Sequence, residues 1–440
     1  MDGQCQDALA LYQRCVSGEV VAYLQRQMRV RVRQSIFTAA VVIWLMILQR
    51  LQPNGSLATA VDALLEGAAD GLLSNCERAR RKRISHRTGG YSHARQRLPK
   101  VLCRQVVREL VVRLREMLNP GSPQLTYVLD GSSLELESSA ALQKAYPPAE
   151  NPHGRGHWPV LRMLVLHELE TGLAEEPQWG PMYGAEASSE QGLAEAAMDA
   201  LVPGSIVMGD RNFGVFTIAW AAQQRGLESV VRLTVQRARK LMGGAISQVG
   251  DWPVCWRVSR WDGRRRGGLP REAAVDGRLL AARIGRGKSK EWLFLFSTLA
   301  WPPEEVLALY SKRWRIETDL RSLKRTVQLQ HVAARKPSMM EKEILTAVAA
   351  YNLIRAVMAL AARRHNLSPR QLSFTFVLNL VNASWHRLQS APDEQAYQRE
   401  VFYLLDAAAQ GTHPKRRKRR SYPRTVWHHG GTFPNRKESQ

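Results

Sequence analysis

Two short apolar runs in the middle of the chain each end on an aspartate, and this pattern constrains the fold more than any other feature. LTYVLDGSSLEL (Leu125 to Leu136) reads as a strand bearing Asp130, and SIVMGD (Ser205 to Asp210) as a strand ending in a second carboxylate. Val160 to Glu170 reads as another strand, and Glu176 to Tyr183 as a weaker one. A helix follows from Ser189, where Ser188 and Gln191 are spaced like a capping box, and Pro203 and Gly204 end it. Val215 to Arg225 is helical up to Gly226, and Ser229 to Val235 is a further strand. Three strands, then helix–strand–helix–strand, predict an α/β fold: a mixed sheet flanked by helices.

The flanking regions differ in character. Residues 1–120 read mostly helical, with the basic cluster Arg78, Arg80, Arg81, Lys82, Arg83 and Arg87 partway along. Pro120, Gly121 and Pro123 mark a boundary. Residues 121–330 form the α/β unit, interrupted at about 236–300 by Gly- and Trp-rich alternating runs that read as an inserted β-rich subdomain. Helical patterning resumes at Pro303–Glu304 and runs as one helix to about Leu329. Residues 331–410 form a helical region able to support dimerisation, and 411–440 a basic, disordered tail containing KRRKRR.

Charge narrows the partner. Lys+Arg number 63 against 39 Asp+Glu, a formal net charge of +24, which favours a polyanion, most simply nucleic acid. The five cysteines are scattered without a CxxC pair, so neither a zinc ribbon nor a disulfide framework is expected. His153 and His157 lie among prolines and glycines and read as loop residues rather than metal ligands. No GxxxxGK[ST] loop is present, which argues against nucleotide hydrolysis. The most apolar run, Ile36 to Leu48, is short for a bilayer and reads as a buried helix.

The chemistry-bearing residues are spread along the chain. Carboxylates at strand ends suit divalent metals, because the sheet fixes them while the following loop stays open. Downstream, YSKRWRIETDLRSLK carries Tyr310, Arg313, Glu317 and Lys324. On a straight helix turning about 100° per residue, all four fall within an arc of roughly 60°, and Arg321 lies on nearly the same stripe. Asp130, Asp210 and Glu317, with no soft ligands nearby, suit a hard cation, Mg²⁺ or Mn²⁺. Two such ions could activate a water or hydroxyl and stabilise the departing oxygen of a phosphodiester. The cations of the stripe would neutralise nearby phosphates. Taken alone, the stripe also fits a solvated amphipathic helix with an Arg313–Glu317 ion pair.

This segment resembles the Y-x2-R-x3-E-x6-K signature of bacterial insertion-sequence transposases of the DDE class, at Tyr310, Arg313, Glu317 and Lys324. YVLDGSS and MGDRNFG resemble that family's first and second aspartate strands. The resemblance implies an RNase H-like fold with a β insertion and a catalytic, metal-binding triad of Asp130, Asp210 and Glu317 using two Mg²⁺ or Mn²⁺ ions. It further implies DNA contacts by Tyr310, Arg313, Arg321 and Lys324, and a tryptophan that receives a flipped base. Trp252, Trp256, Trp261 and Trp292 qualify, with Trp292 nearest the signature in sequence. The implied partners are terminal inverted repeats and target double-stranded DNA, bound by a homodimer in the bacterial cytoplasm at the nucleoid, with no membrane. A structure-selective nuclease of the same fold and a non-catalytic DNA-binding derivative remain open as alternatives.

Overall fold

A computed structural model describes residues 8–30, 36–53, 55–73, 76–77, 84–121, 124–152, 154–260, 262, 269–285 and 291–413. The chain opens with α1 (Ala8–Cys15), α2 (Gly18–Gln27), α3 (Ala39–Leu51), α4 (Leu57–Leu65), α5 (Gly89–Arg97) and α6 (Lys100–Leu118). Ser17, Thr38 and Ser56 cap α2, α3 and α4 by accepting from the backbone N–H three residues on. The apolar run expected to be a buried helix is α3, whose side chains are almost all buried. Of the basic cluster, Arg78, Arg80, Arg81, Lys82 and Arg83 lie outside the described residues, as do His153, Trp261 and the tail from 414 onward.

The middle of the chain builds one sheet. β1 (Thr126–Glu135) is followed by α7 (Ala140–Ala145), a small ribbon of β2 (Glu150–Asn151) and β3 (Gly154–Arg155), β4 (Val160–Glu168) and β5 (Gln178–Pro181). Then come α8 (Glu190–Met198), β6 (Ile206–Gly209), α9 (Phe216–Gln223), β7 (Glu228–Leu233) and α10 (Val235–Met242). The capping reading at α8 needs correction by one residue. Ser189 is the cap, accepting from Gly192 N–H at 3.0 Å, and Gln191 instead donates to Asn212.

β8 (Gly250–Arg257), β9 (Ala274–Ile284) and β10 (Glu291–Ser297) are the strands read from the insertion. They do not stand apart. β10 pairs antiparallel with β7, so the sheet runs β5–β4–β1–β6–β7–β10–β9–β8. Within it β4–β1–β6–β7 combines an antiparallel pair with two parallel ones, the mixed RNase H-like arrangement. Alternation along β1 splits two cores. Tyr127 and Leu129 face α8 and α9, whereas Val128 faces the helical layer.

The expected single helix from Pro303 to about Leu329 is four pieces. α11 (Pro303–Ser311) gives way to a 3₁₀ turn (Lys312–Trp314), then α12 (Arg315–Arg321), then a π turn (Ser322–Thr326). α13 (Pro337–Arg364), α14 (Phe374–Gln389) and α15 (Glu394–Gln410) close the chain. Among the described residues α13 alone is long and apolar enough to cross a membrane, but 94% of its most apolar window is buried, as a core helix. It packs against α3, α6 and α15, so the first and last helical regions share one layer over the sheet.

Candidate active site

β1 and β6 run parallel with Thr126 opposite Ile206 and Val128 opposite Met208. Continuing that register by two residues sets Asp130 beside Asp210, on strands about 4.8 Å apart. Asp130 shares the face of Val128, under the helical layer. Its Oδ1 accepts from Gly131 N–H at 2.9 Å, and the Asp210 Oδ1 accepts from Asn212 N–H at 2.8 Å. Burial, then the neighbouring Asp210, push the Asp130 carboxyl up to about 6, while Gly131 N–H and Arg313 pull the other way.

The signature residues lie around this pair in different ways. Tyr310 is buried, its hydroxyl 3.5 Å from the Gly209 carbonyl next to Asp210. Burial raises its pKa against the pull of Arg313 and Arg232. The Arg313 guanidinium lies 5.8 Å from the Tyr310 ring centre and 5.5 Å from that of Trp314. Lys324 Nζ donates to Ser132 Oγ at 2.9 Å and to the Ser133 carbonyl at 3.1 Å, farther along β1 from Asp130. Glu317 and Arg321 are exposed on α12. The single 60° stripe is therefore not realised, because the 3₁₀ and π turns change the rotation per residue on either side of α12. Among the described residues no three His, Cys, Asp or Glu side chains are grouped closely enough to hold a metal. The aspartates meet; Glu317 stands outside their group in this conformation.

Trp292 is half-buried on β10, stacked on Phe294 with the Arg283 guanidinium 3.9 Å from its ring centre. Trp252 and Trp256 are likewise packed against the core on the α8–α9 side.

Sequence reading passed over three residues. Trp314 is 65% exposed inside the signature itself. Its neighbours Arg313 and Arg315 disguised it as part of a charged run. Glu190, the first residue of α8, contributes to the negative field on Asp130 and accepts from Asn212 Nδ2. A Cβ on Gly131 would come within 2.7 Å of the Glu190 carboxyl, so glycine beside Asp130 lets this side chain lie across both aspartate loops. Asp319 is fully buried, taking two bonds from Arg370 Nη1 at 2.6 and 2.7 Å and another from Arg355. Burial alone would raise its pKa, but Arg370 and Arg355 outweigh it and hold the carboxyl below its ordinary value. This clamp fixes the inner face of α12, two residues from Glu317.

A family model described as Transposase DDE domain matches residues 121–353, just over half of the chain. The chain belongs to the DDE transposases. This DDE transposase is 26% identical over 359 residues to "Transposase InsG for insertion sequence element IS4" of Escherichia coli (strain K12), across 78% of this chain and 76% of that one. The family match spans both aspartate strands and the whole Tyr310–Lys324 segment.

DDE transposases generally use divalent metal, and the residues present fit that chemistry in part. Asp130 and Asp210 are adjacent hard oxygen donors; burial and, after it, the Asp210 charge raise the Asp130 pKa, and a divalent cation would offset both. In this transposase Glu317 would have to turn inward to join them.

Proposed function

We propose that the chain binds the terminal inverted repeats of its own insertion element, hydrolyses a phosphodiester at each end and joins the freed 3′-hydroxyl to target DNA. The observation that carries this reading is the register of β1 and β6, which sets Asp130 against Asp210 with cations above and beside them. Asp130 and Asp210 would hold one or both Mg²⁺ or Mn²⁺ ions, with Glu317 as the third carboxylate. Bound there, the metal would polarise the phosphoryl group and the attacking oxygen. Arg313 would neutralise a phosphate at the aspartate pair, and Lys324 one farther along the same strand. Tyr310 would hold the β6 end against the helical layer. Arg321, exposed on α12, would meet the DNA backbone.

Trp314 has the most open of the tryptophan rings at the site and would stack on an unpaired base, with Trp292 a second such surface at the outer strands. Two copies would act together, one per element end. The work would be done on cytoplasmic, nucleoid DNA.

The test is Mg²⁺-dependent cleavage of a terminal-repeat duplex, followed by joining of pre-cut ends to a plasmid. Wild type is expected to do both. Glu317→Ala and Asp210→Asn are expected to lose at least about 10³-fold in rate while still retarding the duplex in a gel. Equal rates in wild type and Glu317→Ala would overturn the assignment. Cleavage without any joining would favour a structure-selective nuclease.

A further inference from the structure

The loop that follows β6 carries at its tip an asparagine that stands outside the Y-R-E-K signature. Asn212 is exposed, two residues past Asp210, yet both ends of its side-chain amide are bonded. Gln191 Nε2 donates to the Asn212 Oδ1 at 2.9 Å and to the Asn212 carbonyl at 3.0 Å, and Glu190 accepts from the Asn212 Nδ2. We propose that Asn212, gripped by Glu190 and Gln191 at the start of α8, is a positioning residue for Asp210, fixing which carboxylate oxygen the second aspartate offers to a divalent cation. The proposal rests on the reading of Asp210 as a metal-binding carboxylate and adds the group that aims it.

The direct link is a backbone bond. Asn212 N–H donates to Asp210 Oδ1 at 2.8 Å. That bond commits Oδ1, restricts rotation of the carboxylate and leaves Oδ2 as the oxygen for a cation. Hydrogen bonds to the ligating groups of a metal site orient them in this way, and losing one typically costs about 10–100-fold in metal affinity or activity.

The rest of the loop is fixed without help from the Asn212 side chain. Phe213 N–H and Gly214 N–H both donate to the Asp210 carbonyl at 3.1 Å, and Phe213 is buried. Arg237 of α10 donates to the Arg211 and Gly214 carbonyls at 3.0 Å each. The turn therefore survives loss of the amide. What the amide adds is local: the setting of one peptide N–H against one carboxylate oxygen. Its surface position agrees, because surface side chains contribute little to global stability. The other end of the grip is firm as well, since Ser189 caps α8 immediately before Glu190.

Glu190 enters this scheme through its acceptor oxygen. It also adds to the negative field on Asp130, and substitution separates the two roles. Glutamine keeps the oxygen and the length while removing the charge; alanine removes both.

The experiment uses the full chain and reads Mg²⁺ in two ways: as the rise in melting temperature of the DNA-free protein, and as the concentration giving half-maximal cleavage of a terminal-repeat duplex. Asn212→Ala is expected to raise both Mg²⁺ midpoints about 10–100-fold, with the metal-free melting temperature and metal-free duplex retardation at their wild-type values. Glu190→Ala should do the same, and the double variant should be no worse than either single one, because the pair acts as a unit. Glu190→Gln should bring both midpoints back to within about threefold of wild type. Wild-type midpoints in Asn212→Ala would overturn the proposal while leaving the proposed function intact, provided wild type cleaves the duplex. Glu190→Gln as damaging as Glu190→Ala would overturn it too, since the carboxylate would then act by its charge. A wild type that neither responds to Mg²⁺ nor cleaves takes the proposed function down as well. If Asn212→Ala fails to fold, the two Glu190 variants decide: unchanged midpoints in Glu190→Ala rule the grip out.

Discussion

Asp130 sits in its place at an energetic cost that pH can reveal. Its carboxyl titrates near 6 in the native protein against an ordinary value of 3.8, so the folded chain holds that proton more tightly than the unfolded one. Below about pH 3.8 both forms are protonated and no penalty exists. Between 3.8 and 6 the penalty grows as pH rises, and above 6 it is complete, on the order of 3 kcal/mol at most. Asp130→Asn is therefore expected to stabilise the metal-free protein by ~1–3 kcal/mol above pH 6 and by almost nothing near pH 3.5. Urea denaturation of both proteins across that range checks it; a gain independent of pH would contradict an origin in the titration of this carboxyl. Adding Mg²⁺ should close the gap by stabilising the wild type alone. The aspartate pair was legible in the sequence because each carboxylate closes a short apolar run that reads as a strand, and the parallel register of those two strands sets them side by side. Glu190 was not. A glutamate opening a helix reads as a dipole partner, and only the absence of a side chain at Gly131 brings it to the site.

At the scale of elements, the segment from Pro303 to Thr326 is where sequence and structure part. A heptad-like wheel assumes one rotation per residue, and here that rotation changes twice, at Lys312–Trp314 and Ser322–Thr326. Tyr310, Arg313 and Lys324 still come to the aspartate strands, but Glu317 does not join them. What holds α12 is Asp319, whose partners Arg355 and Arg370 come from distant parts of the chain and leave no local pattern to read. Arg355 also donates to Tyr351, and Tyr351 to the Gly172 carbonyl at 2.9 Å. A Cβ at Gly172 would crowd both guanidinium groups, and its φ of +81° also favours glycine. Asp319→Ala strands two buried cations and is expected to cost about 3–5 kcal/mol, read as a lower denaturation midpoint. Asp319→Asn should cost less, since its amide oxygen can still accept one of the bonds. A neutral Asp319→Ala would mean that the clamp is incidental. The outer strands show the same limit from the other side. Alternation identified β8, β9 and β10 as strands, but period alone does not name a partner, and pairing of Phe294 with Leu233 merged them into the main sheet.

For the whole molecule, the excess of positive charge is the property most open to measurement. Removing residues 414–440 takes away nine Lys and Arg against one Glu. Truncation is expected to weaken binding to random-sequence duplex at low salt and to flatten the salt dependence by about 0.9 in logarithmic slope per lost phosphate contact. Parallel salt plots for full-length and truncated chains would show that the tail takes no part. The helical layer makes a further link: Arg50 and Arg95, from α3 and α5, both pair with Glu343 of α13 at 3.0 and 2.8 Å. The outermost strands, β5 and β8, carry Pro181 and Pro253. A proline removes one donor from the row of backbone groups that an incoming strand would need. Each outer edge thus offers an incoming strand one hydrogen bond fewer, which works against edge-to-edge pairing between copies at high concentration.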